Sequence, residues 1–497
     1  MIRIAGQFSS ILAVFPVGLL LAVTAAPLVF LLAHSSFDIV GTEWSSFAPT
    51  LMFATAGAAT STVAGAILGI ILATREFFGR KILFAVSVLP IAAPPAFWWI
   101  GATRLTSAWG NAAGITAGAF VAGLALSPVS LLLVFAALRQ IPSNVYEAAR
   151  VTLPPVTRFH AVLLPLLKSP LAGSFALTLI LLLGESEIPF LFGFRTLMTD
   201  VVTRFSQTFD VIKTLPLVLP LLLSILILGV VAAKPLLRTV LSSSRGSHGI
   251  VRRRSSFLLT VITAAPAAWL LISVSGYAWP LISSNATPSL IKSVDATTVA
   301  VSIAEPVESA WLALFATVIM IYPARRTFAM PYILWASLLL FCVPAAIYAI
   351  GWIVAGQVFG GFAFPPIVAY SSRAVALCTL GFALGYSRMP VSLEDAARLV
   401  RMSALRRALM FVLPLIAPFL IASSAFAAAL TYADRDVASL LLAPGAARLT
   451  LNLYLASANA PSSTVSVLAL AVLAGAALTV AFAAAGPALL RVRRRRA

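Results

Sequence analysis

Long apolar runs separated by short polar segments extend over the whole chain. A helix needs about 20 residues to cross the hydrocarbon core of a bilayer, and most of these runs reach that length. Transmembrane strands would alternate apolar and polar residues, whereas these runs are apolar throughout. The pattern therefore predicts an all-α integral membrane protein. The predicted spans number about twelve, at 10–34, 49–74, 82–106, 114–138, 170–194, 214–236, 257–277, 308–323, 331–353, 367–387, 413–433 and 463–489.

A basic, serine-rich linker at 239–256 divides the spans into two sets of six, 1–238 and 257–490, and a basic tail follows at 491–497. Landmarks of the first set recur in the second after about 249 residues; the matched pairs are Pro94 with Pro344, Pro165 with Pro414, Glu185 with Asp434, and Glu187 with Asp436. Both sets begin on the same side, so the repeat is parallel, with its axis along the membrane normal. The sequence predicts two pseudo-symmetric six-helix bundles that enclose a path.

Composition supports a membrane protein and gives the net charge an explanation. The chain is 61% hydrophobic and 10% charged, with a mean hydropathy of +1.03, which excludes a soluble protein. Its net charge of +19 does not require nucleic acid, because basic residues collect in cytoplasmic loops. Most of the 34 lysines and arginines lie inside if both termini and the linker are cytoplasmic. We therefore expect a multi-pass protein with cytoplasmic termini.

Motifs for chemistry are missing from the sequence. The two cysteines form no disulfide framework or metal-ligand spacing. No lysine follows a glycine, so the Gly-Lys-Ser/Thr sequence that a P-loop requires does not occur. We expect a transport subunit that is not an enzyme and that binds no metal or cofactor itself.

Two polar segments, 144–165 and 392–414, interrupt the apolar pattern at matching places. Each starts with a residue that can cap a helix (Asn144, Ser392), followed by an acid and two alanines, and each ends in Leu-Pro. The pattern predicts a short helix, which Pro154-Pro155 ends in the first segment. In the second segment Ser403 can cap a following helix. An ordinary basic connector is the alternative reading of either segment.

The two segments resemble the cytoplasmic loop of ABC importer permeases, E-A-A-x3-G-x9-I-x-L-P. The matching residues are Glu147, Ala148, Ala149, Leu164 and Pro165 in the first segment, and Asp395, Ala396, Ala397, Leu413 and Pro414 in the second. The family's glycine is replaced by Leu153 and by Arg401. Two copies in one chain resemble the fused type I permeases of the iron(III), thiamine and aminoethylphosphonate importers.

This resemblance implies partners and a location. In the family the loop docks in a groove of an ATP-hydrolysing subunit, so it implies two ATPase subunits, which bind the ATP and Mg. It also implies a periplasmic solute-binding protein and a place in the bacterial inner membrane. The resemblance implies no nucleic-acid partner.

Charged residues and prolines near the predicted spans are candidates for the transport path. Glu185, Glu187, Asp434 and Asp436 are predicted near the outer ends of the fifth and eleventh spans, as path lining or as a gate. The alternative is a structural pair of Asp434 or Asp436 with Arg435. Pro94 and Pro344 interrupt spans, as in broken helices that line a cavity. We expect Arg373 to extend outward to the membrane surface.

The excess of acids at these positions favours a cationic cargo such as iron(III), thiamine or a polyamine, and a phosphonate is the other candidate. A secondary transporter of the major-facilitator kind is an alternative, because it also has twelve spans in two parallel halves. That class needs ion-coupling carboxylates in mid-membrane. A non-transporting membrane scaffold is a third possibility.

Overall fold

The computed structural model describes most of the chain, with gaps. The described residues are 2–33, 44–77, 79–94, 97–98, 100–101, 114–139, 141, 143–241, 253–254, 272–278, 281, 295–327, 330–361, 364–389, 391–400, 402–442 and 447–492. The predicted linker and tail lie largely outside these residues, as does Arg401.

Almost all of the described residues are helical, which confirms the all-α part of the predicted fold class. A pair of two-residue parallel strands, β1 (Arg75–Glu76) and β2 (Arg253–Arg254), is the exception. The helices are α1 (Ile2–Ala33), α2 (Phe47–Thr74), α3 (Arg80–Val88), α4 (Ile115–Leu138), α5 (Ser143–Thr152), α6 (Pro155–Arg158), α7 (Leu164–Leu183), α8 (Glu187–Leu191), α9 (Leu197–Thr208), α10 (Val211–Leu241), α11 (Ala296–Ile321), α12 (Met330–Cys342), α13 (Ala345–Val358), α14 (Pro366–Ser387), α15 (Val391–Leu399), α16 (Ala404–Arg407), α17 (Leu413–Ala433), α18 (Asp436–Leu441), α19 (Leu449–Asn459) and α20 (Ser462–Val492).

Nine helices in the described part of the chain are long and apolar enough to cross a membrane, and α12 with α13 forms a bent pair that would make a tenth. These ten correspond to ten of the predicted spans. The other two cannot be compared in full, because much of 82–106 and nearly all of 257–277 fall outside the described residues. Two of the predicted spans have wrong boundaries. The fifth begins at Phe159 and ends at Leu183, not at 170 and 194, because Gly184 and Glu185 follow it in non-helical conformations. The eighth begins at Ala296 and not at 308, because the polar residues before 308 are helical as well.

Two compact units make up the fold. Unit 1 contains Met1–Ser35, Val294–Asn452 and Ala471–Ala497, and unit 2 contains Ser36–Ser293 and Leu453–Leu470. Helix α1 therefore packs within the unit formed mostly by the later part of the chain.

Small residues bring the helices of unit 2 close together. Helices α2, α4 and α7 pack on one another, and a Cβ at Gly65 of α2 would collide with the Ser127 carbonyl oxygen of α4. The Ser61 hydroxyl lies 3.4 Å from both Ser130 and Thr178. Close backbone approach and hydroxyl pairs of this kind hold helices together in lipid, where apolar side chains gain nothing by leaving the tails.

Unit 1 has its core between α11, α14 and α17, with α1 against α13. The contact between α1 and α13 depends on Gly351, because a Cβ there would lie 2.5 Å from the Pro27 carbonyl oxygen. Pro344 separates α12 from α13, and the two helix axes differ in direction by 93°. The predicted interruption at Pro344 is therefore confirmed.

Candidate functional site

The first polar segment folds as two short helices that run into a span. Helix α5 carries Glu147, Ala148 and Ala149 and ends before Leu153 and Pro154, where proline disfavours a helical residue before it. The four-residue α6 follows. The chain then makes one π-helical turn, Phe159–Leu163, and enters α7.

The second polar segment repeats this order of elements. Helix α15 carries Asp395, Ala396 and Ala397, and α16 follows after a break. The Ser403 side chain accepts a hydrogen bond from the Arg406 amide at 3.3 Å, so the predicted cap of this second helix is confirmed. A π-helical turn, Ala408–Val412, leads into α17.

The predicted starts of α5 and α15 are wrong, because both helices begin before the residues that were expected to cap them. These helices begin at Ser143 and Val391, so Asn144 and Ser392 lie inside the first turn and not before it. Ser392 is therefore not the cap of α15.

Both π-helical turns precede a proline, and the proline accounts for them. The Leu164 amide donates to the Phe159 carbonyl, five residues back, and the Leu413 amide donates to Ala408 in the same way. Pro165 and Pro414 come next; proline has no amide to donate, and its ring crowds the carbonyl four residues earlier. A widened turn relieves that crowding. The chain therefore enters α7 and α17 through the same type of turn.

Each segment presents an acid and an apolar side chain on its outer surface. Glu147 and Asp395 are exposed, and one helical turn later Val151 is 84% exposed and Leu399 is 85% exposed. A spacing of four residues puts the acid and the apolar residue on one helical face.

The alanine pairs are split between the surface and the interior. Ala148 and Ala396 are exposed, whereas Ala149 and Ala397 are buried against the chain itself. Of the remaining segment residues, Leu413 is buried, Leu153, Leu164 and Pro414 are half-buried, and Pro165 is exposed.

The two acids differ in their surroundings. Asp395 Oδ1 lies 2.7 Å from Arg326 Nη1, and Arg326 Nε donates to the Tyr386 hydroxyl at 3.0 Å. Arg326 ends the 3₁₀ turn after α11, and Tyr386 lies in the last turn of α14. Among the described side chains, the structure brings no comparable partner to Glu147.

The acids after the fifth and eleventh spans act as helix caps. Glu185 Oε1 accepts the amides of Glu187 and Ile188, at 2.8 and 3.3 Å, at the start of α8. Asp434 Oδ1 accepts the Val437 amide at 3.1 Å at the start of α18. A carboxylate at this position satisfies amides that lack a partner within the helix and stabilises the positive end of its dipole.

Ion pairs neutralise both acids of the second set. Asp434 Oδ2 lies 3.1 Å from Arg373 Nη1, and Asp436 Oδ1 lies 3.1 Å from Arg435 Nη2. The pair of Asp436 with Arg435 is the structural alternative raised from the sequence. Arg373 therefore has an acid at the end of the eleventh span as its partner. Burial raises the pKa of Asp434 to about 6, and Arg373 opposes that rise.

A buried arginine that sequence reasoning missed lies close by in unit 1. Arg448 is 1% exposed; its Nη2 lies 3.0 Å from Glu305 Oε2, and its Nη1 donates to the Tyr370 hydroxyl. The sequence did carry a signal for this residue, because Arg448 is a lone arginine between apolar residues. A charge in such surroundings needs a partner.

An equivalent hydrogen bond occurs inside each of the two units. In unit 2 the Leu197 amide donates to Thr50 Oγ1 at 2.8 Å, and in unit 1 the Leu449 amide donates to Ser302 Oγ at 2.9 Å. Each bond joins residues 147 apart in sequence. A helix start is thus fixed to an earlier long helix in the same way in both.

The two prolines proposed for the path are both at turns. Pro94 is buried, and its carbonyl accepts the Phe97 amide at 3.0 Å. The Pro344 carbonyl accepts the Ile347 and Tyr348 amides, at 3.2 and 3.3 Å, at the start of α13. Within the described ranges, no group of three or more His, Cys, Asp or Glu side chains could hold a metal ion.

Comparison with known proteins gives one match. Residues 65–234 match the family model of the binding-protein-dependent transport system inner membrane component. The matched stretch runs from α2 into α10 and includes the first polar segment but not the second. No curated protein and no solved structure matches the chain. The match supports a permease of a binding-protein-dependent ABC transporter, with several membrane-crossing helices.

Proposed function

We propose that this chain is the membrane-spanning subunit of an ATP-driven importer, with both permease halves in one polypeptide. Its two polar segments dock on two separate ABC ATPase subunits and transmit their movement to the helices. The observation that carries this proposal is the repeated order of short helix, break, short helix, π-helical turn and Leu-Pro span entry in segments 143–165 and 391–414. The family match over 65–234 supports the permease class.

The spacing of the helices supports two equivalent halves, 1–238 and 257–490. Helices α7 and α17 begin at Leu164 and Leu413, a separation of 413 − 164 = 249 residues, and α8 and α18 begin at Glu187 and Asp436, again 436 − 187 = 249. These regularities favour a duplicated bundle of about six spans over an unrelated pair of domains.

The exposed tips of α5 and α15 support docking. Apolar side chains as exposed as Val151 and Leu399 are expected to be covered by a partner when they lie beside an acid on a short helix. The ATPase subunits supply ATP and Mg binding. A separate binding protein delivers the cargo from the periplasmic side.

The distribution of basic residues supports the orientation. We place the linker, the two polar segments and both termini in the cytoplasm of a bacterial inner membrane, because Lys and Arg concentrate in these segments. This places the ends of α7 and α17, with their acids, toward the outside.

Cargo passes by alternating access, along a path that involves Pro94, Pro344 and the acids at the outer ends. Asp434 and Asp436 each have an arginine within 3.1 Å, so Glu185 and Glu187 are the acids that still favour a cationic cargo such as iron(III), thiamine or a polyamine over a phosphonate. We propose a small solute, for which the binding protein provides most of the selection.

Reconstitution tests the proposal directly. The chain is co-purified with an ABC ATPase subunit and a secreted binding protein encoded beside it, and uptake of the solute that the binding protein retains is measured in proteoliposomes. We expect uptake that requires ATP and both partners and that persists with a protonophore. Uptake by the chain alone, abolished by the protonophore, would support the secondary transporter, and no flux with all partners present would support the scaffold.

A further inference from the structure

The two docking segments differ in what their acids do. We infer that Asp395 is a positioning residue that fixes α15 to its own bundle, whereas Glu147 is available to the partner. This inference rests on the proposed docking function. It predicts that the two ATPase contacts depend on different chemistry, although the segments share their order of elements.

The contacts of Asp395 are internal. Its Oδ1 lies 2.7 Å from Arg326 Nη1, within the range of a charge-assisted hydrogen bond. Arg326 Nε donates in turn to the Tyr386 hydroxyl at 3.0 Å, so one guanidinium joins α15 to the turn after α11 and to the end of α14. A carboxylate held in this way offers little to a cation on a partner.

Additional packing fixes α15 in the same orientation. Ala397 is 5% exposed, and Met389, just before the helix, is buried in the core of α11, α14 and α17. The hydrogen bonds from Arg326 therefore set the rotation of a helix whose inner face is already seated. This rotation turns Leu399 outward.

The first polar segment packs on its bundle in the same way as the second but lacks the ion pair. Ala149 is 7% exposed, so α5 is seated by its second alanine as α15 is. An offset of 249 or 250 residues, as in the matched landmarks, places Phe77 or Glu76 at the position of Arg326, and neither can form an ion pair with an acid. Glu147 is exposed, and the described side chains include no cation against it.

Hydrogen exchange on the full chain in nanodiscs, without any partner, tests the positioning role. The pair is partly exposed, with side-chain exposures of 27% for Arg326 and 51% for Asp395, so we expect Arg326→Gln or Asp395→Asn to speed exchange of the α15 amides about two- to fivefold. Tyr386→Phe should act in the same direction more weakly. Glu147→Gln is the matched control and should leave exchange in α5 unchanged.

Charge reversal separates an internal pair from a partner contact. Asp395→Arg alone should speed exchange in α15, and the double variant Arg326→Asp/Asp395→Arg should return it to within about twofold of the wild type. Unchanged exchange in Arg326→Gln, or a double variant as fast as Asp395→Arg, would overturn the inference. Size-exclusion profiles identify any variant that has not folded, and Tyr386→Phe remains as the mild test.

The same variants are then tested for capture of the ATPase subunit used in the reconstitution. The double variant should bind it as the wild type does, whereas Glu147→Arg should weaken capture at least tenfold with no change in exchange in α5 or α15. If the double variant regains exchange protection but still fails to capture, Asp395 itself contacts the partner and the inference is wrong. If the wild type captures no ATPase while the exchange results hold, the docking function fails and the positioning role stands.

Discussion

The ion pair between Arg448 and Glu305 gives a test of how the interior of unit 1 is stabilised. The two side chains are unequally buried: that of Arg448 is 2% exposed and that of Glu305 is 24% exposed. Replacing either one by methionine keeps most of the volume and leaves the other charge without its partner. The charge that remains is deeply buried in one variant and partly exposed in the other.

The magnitudes follow from this difference. Leaving one member of a buried pair without its partner costs about 3–5 kcal/mol, and partial exposure reduces the cost. We expect Glu305→Met to destabilise the protein by about 3–5 kcal/mol, because it leaves the Arg448 guanidinium in the interior. Arg448→Met should cost about 1–3 kcal/mol, which includes about 1 kcal/mol for the lost hydrogen bond to Tyr370.

Unfolding in mixed micelles, followed by tryptophan fluorescence, measures these differences in a double-mutant cycle. The double variant should be more stable than the sum of the two single effects by about 1–3 kcal/mol. Glu308→Met is the control, because Glu308 is an exposed acid on the same helix, and it should change little. Additive single effects, or a larger loss for Arg448→Met than for Glu305→Met, would refute the reasoning.

Three further predictions concern other parts of the molecule. Gly351→Ala should destabilise unit 1 by about 1–3 kcal/mol, because the new Cβ would lie 2.5 Å from the Pro27 carbonyl oxygen. Gly18→Ala is the control and should not destabilise it, because nothing lies within 4 Å of its Cβ. Thermal unfolding compares the two variants. Val151→Asp and Leu399→Asp should each weaken ATPase capture by about tenfold or more. The unfolding midpoint should not change, because both residues are at least 84% exposed. A shifted midpoint would argue against docking. The pKa of Asp434 is raised from 3.8 to about 6, so the folded state binds more protons than the unfolded state between pH 4 and 6, and stability falls as pH rises through that range. Unfolding of Asp434→Asn should lack this part of the pH dependence, and an identical pH profile in the variant would contradict the assignment.

The apolar pattern was sufficient to predict most of the spans. An uninterrupted run of about 20 apolar residues can satisfy its backbone in lipid only as a helix, so ten of the twelve predicted spans have counterparts in the structure. The break at Pro344 was predictable for a similarly local reason, since proline lacks an amide. The wrong end of the fifth span also has a local cause, because Gly184 and Glu185 stop α7 within a sequence that remains apolar afterwards.

The residues of the polar segments were predictable, but the roles of their side chains were not. The acid, the two alanines and the Leu-Pro pair occur in the same order in both segments. This order was enough to predict the short helices, the Ser403 cap and the entries into the spans. Which alanine is buried depends on how each short helix lies on its bundle. The sequence alone treats Ala148 and Ala149 as equivalent.

The sequence by itself determined that this is a helical membrane protein with a repeated polar segment, because backbone hydrogen bonding in lipid and the chemistry of proline act within a few residues. Only the tertiary structure decided the partners of charges that lie far apart in the sequence. Asp395 and Arg326 are 69 residues apart, and Arg373 and Asp434 are 61 apart. Ionic partners in an apolar interior are selected by the packing of distant helices, and the cost of leaving a charge alone there makes that selection strict.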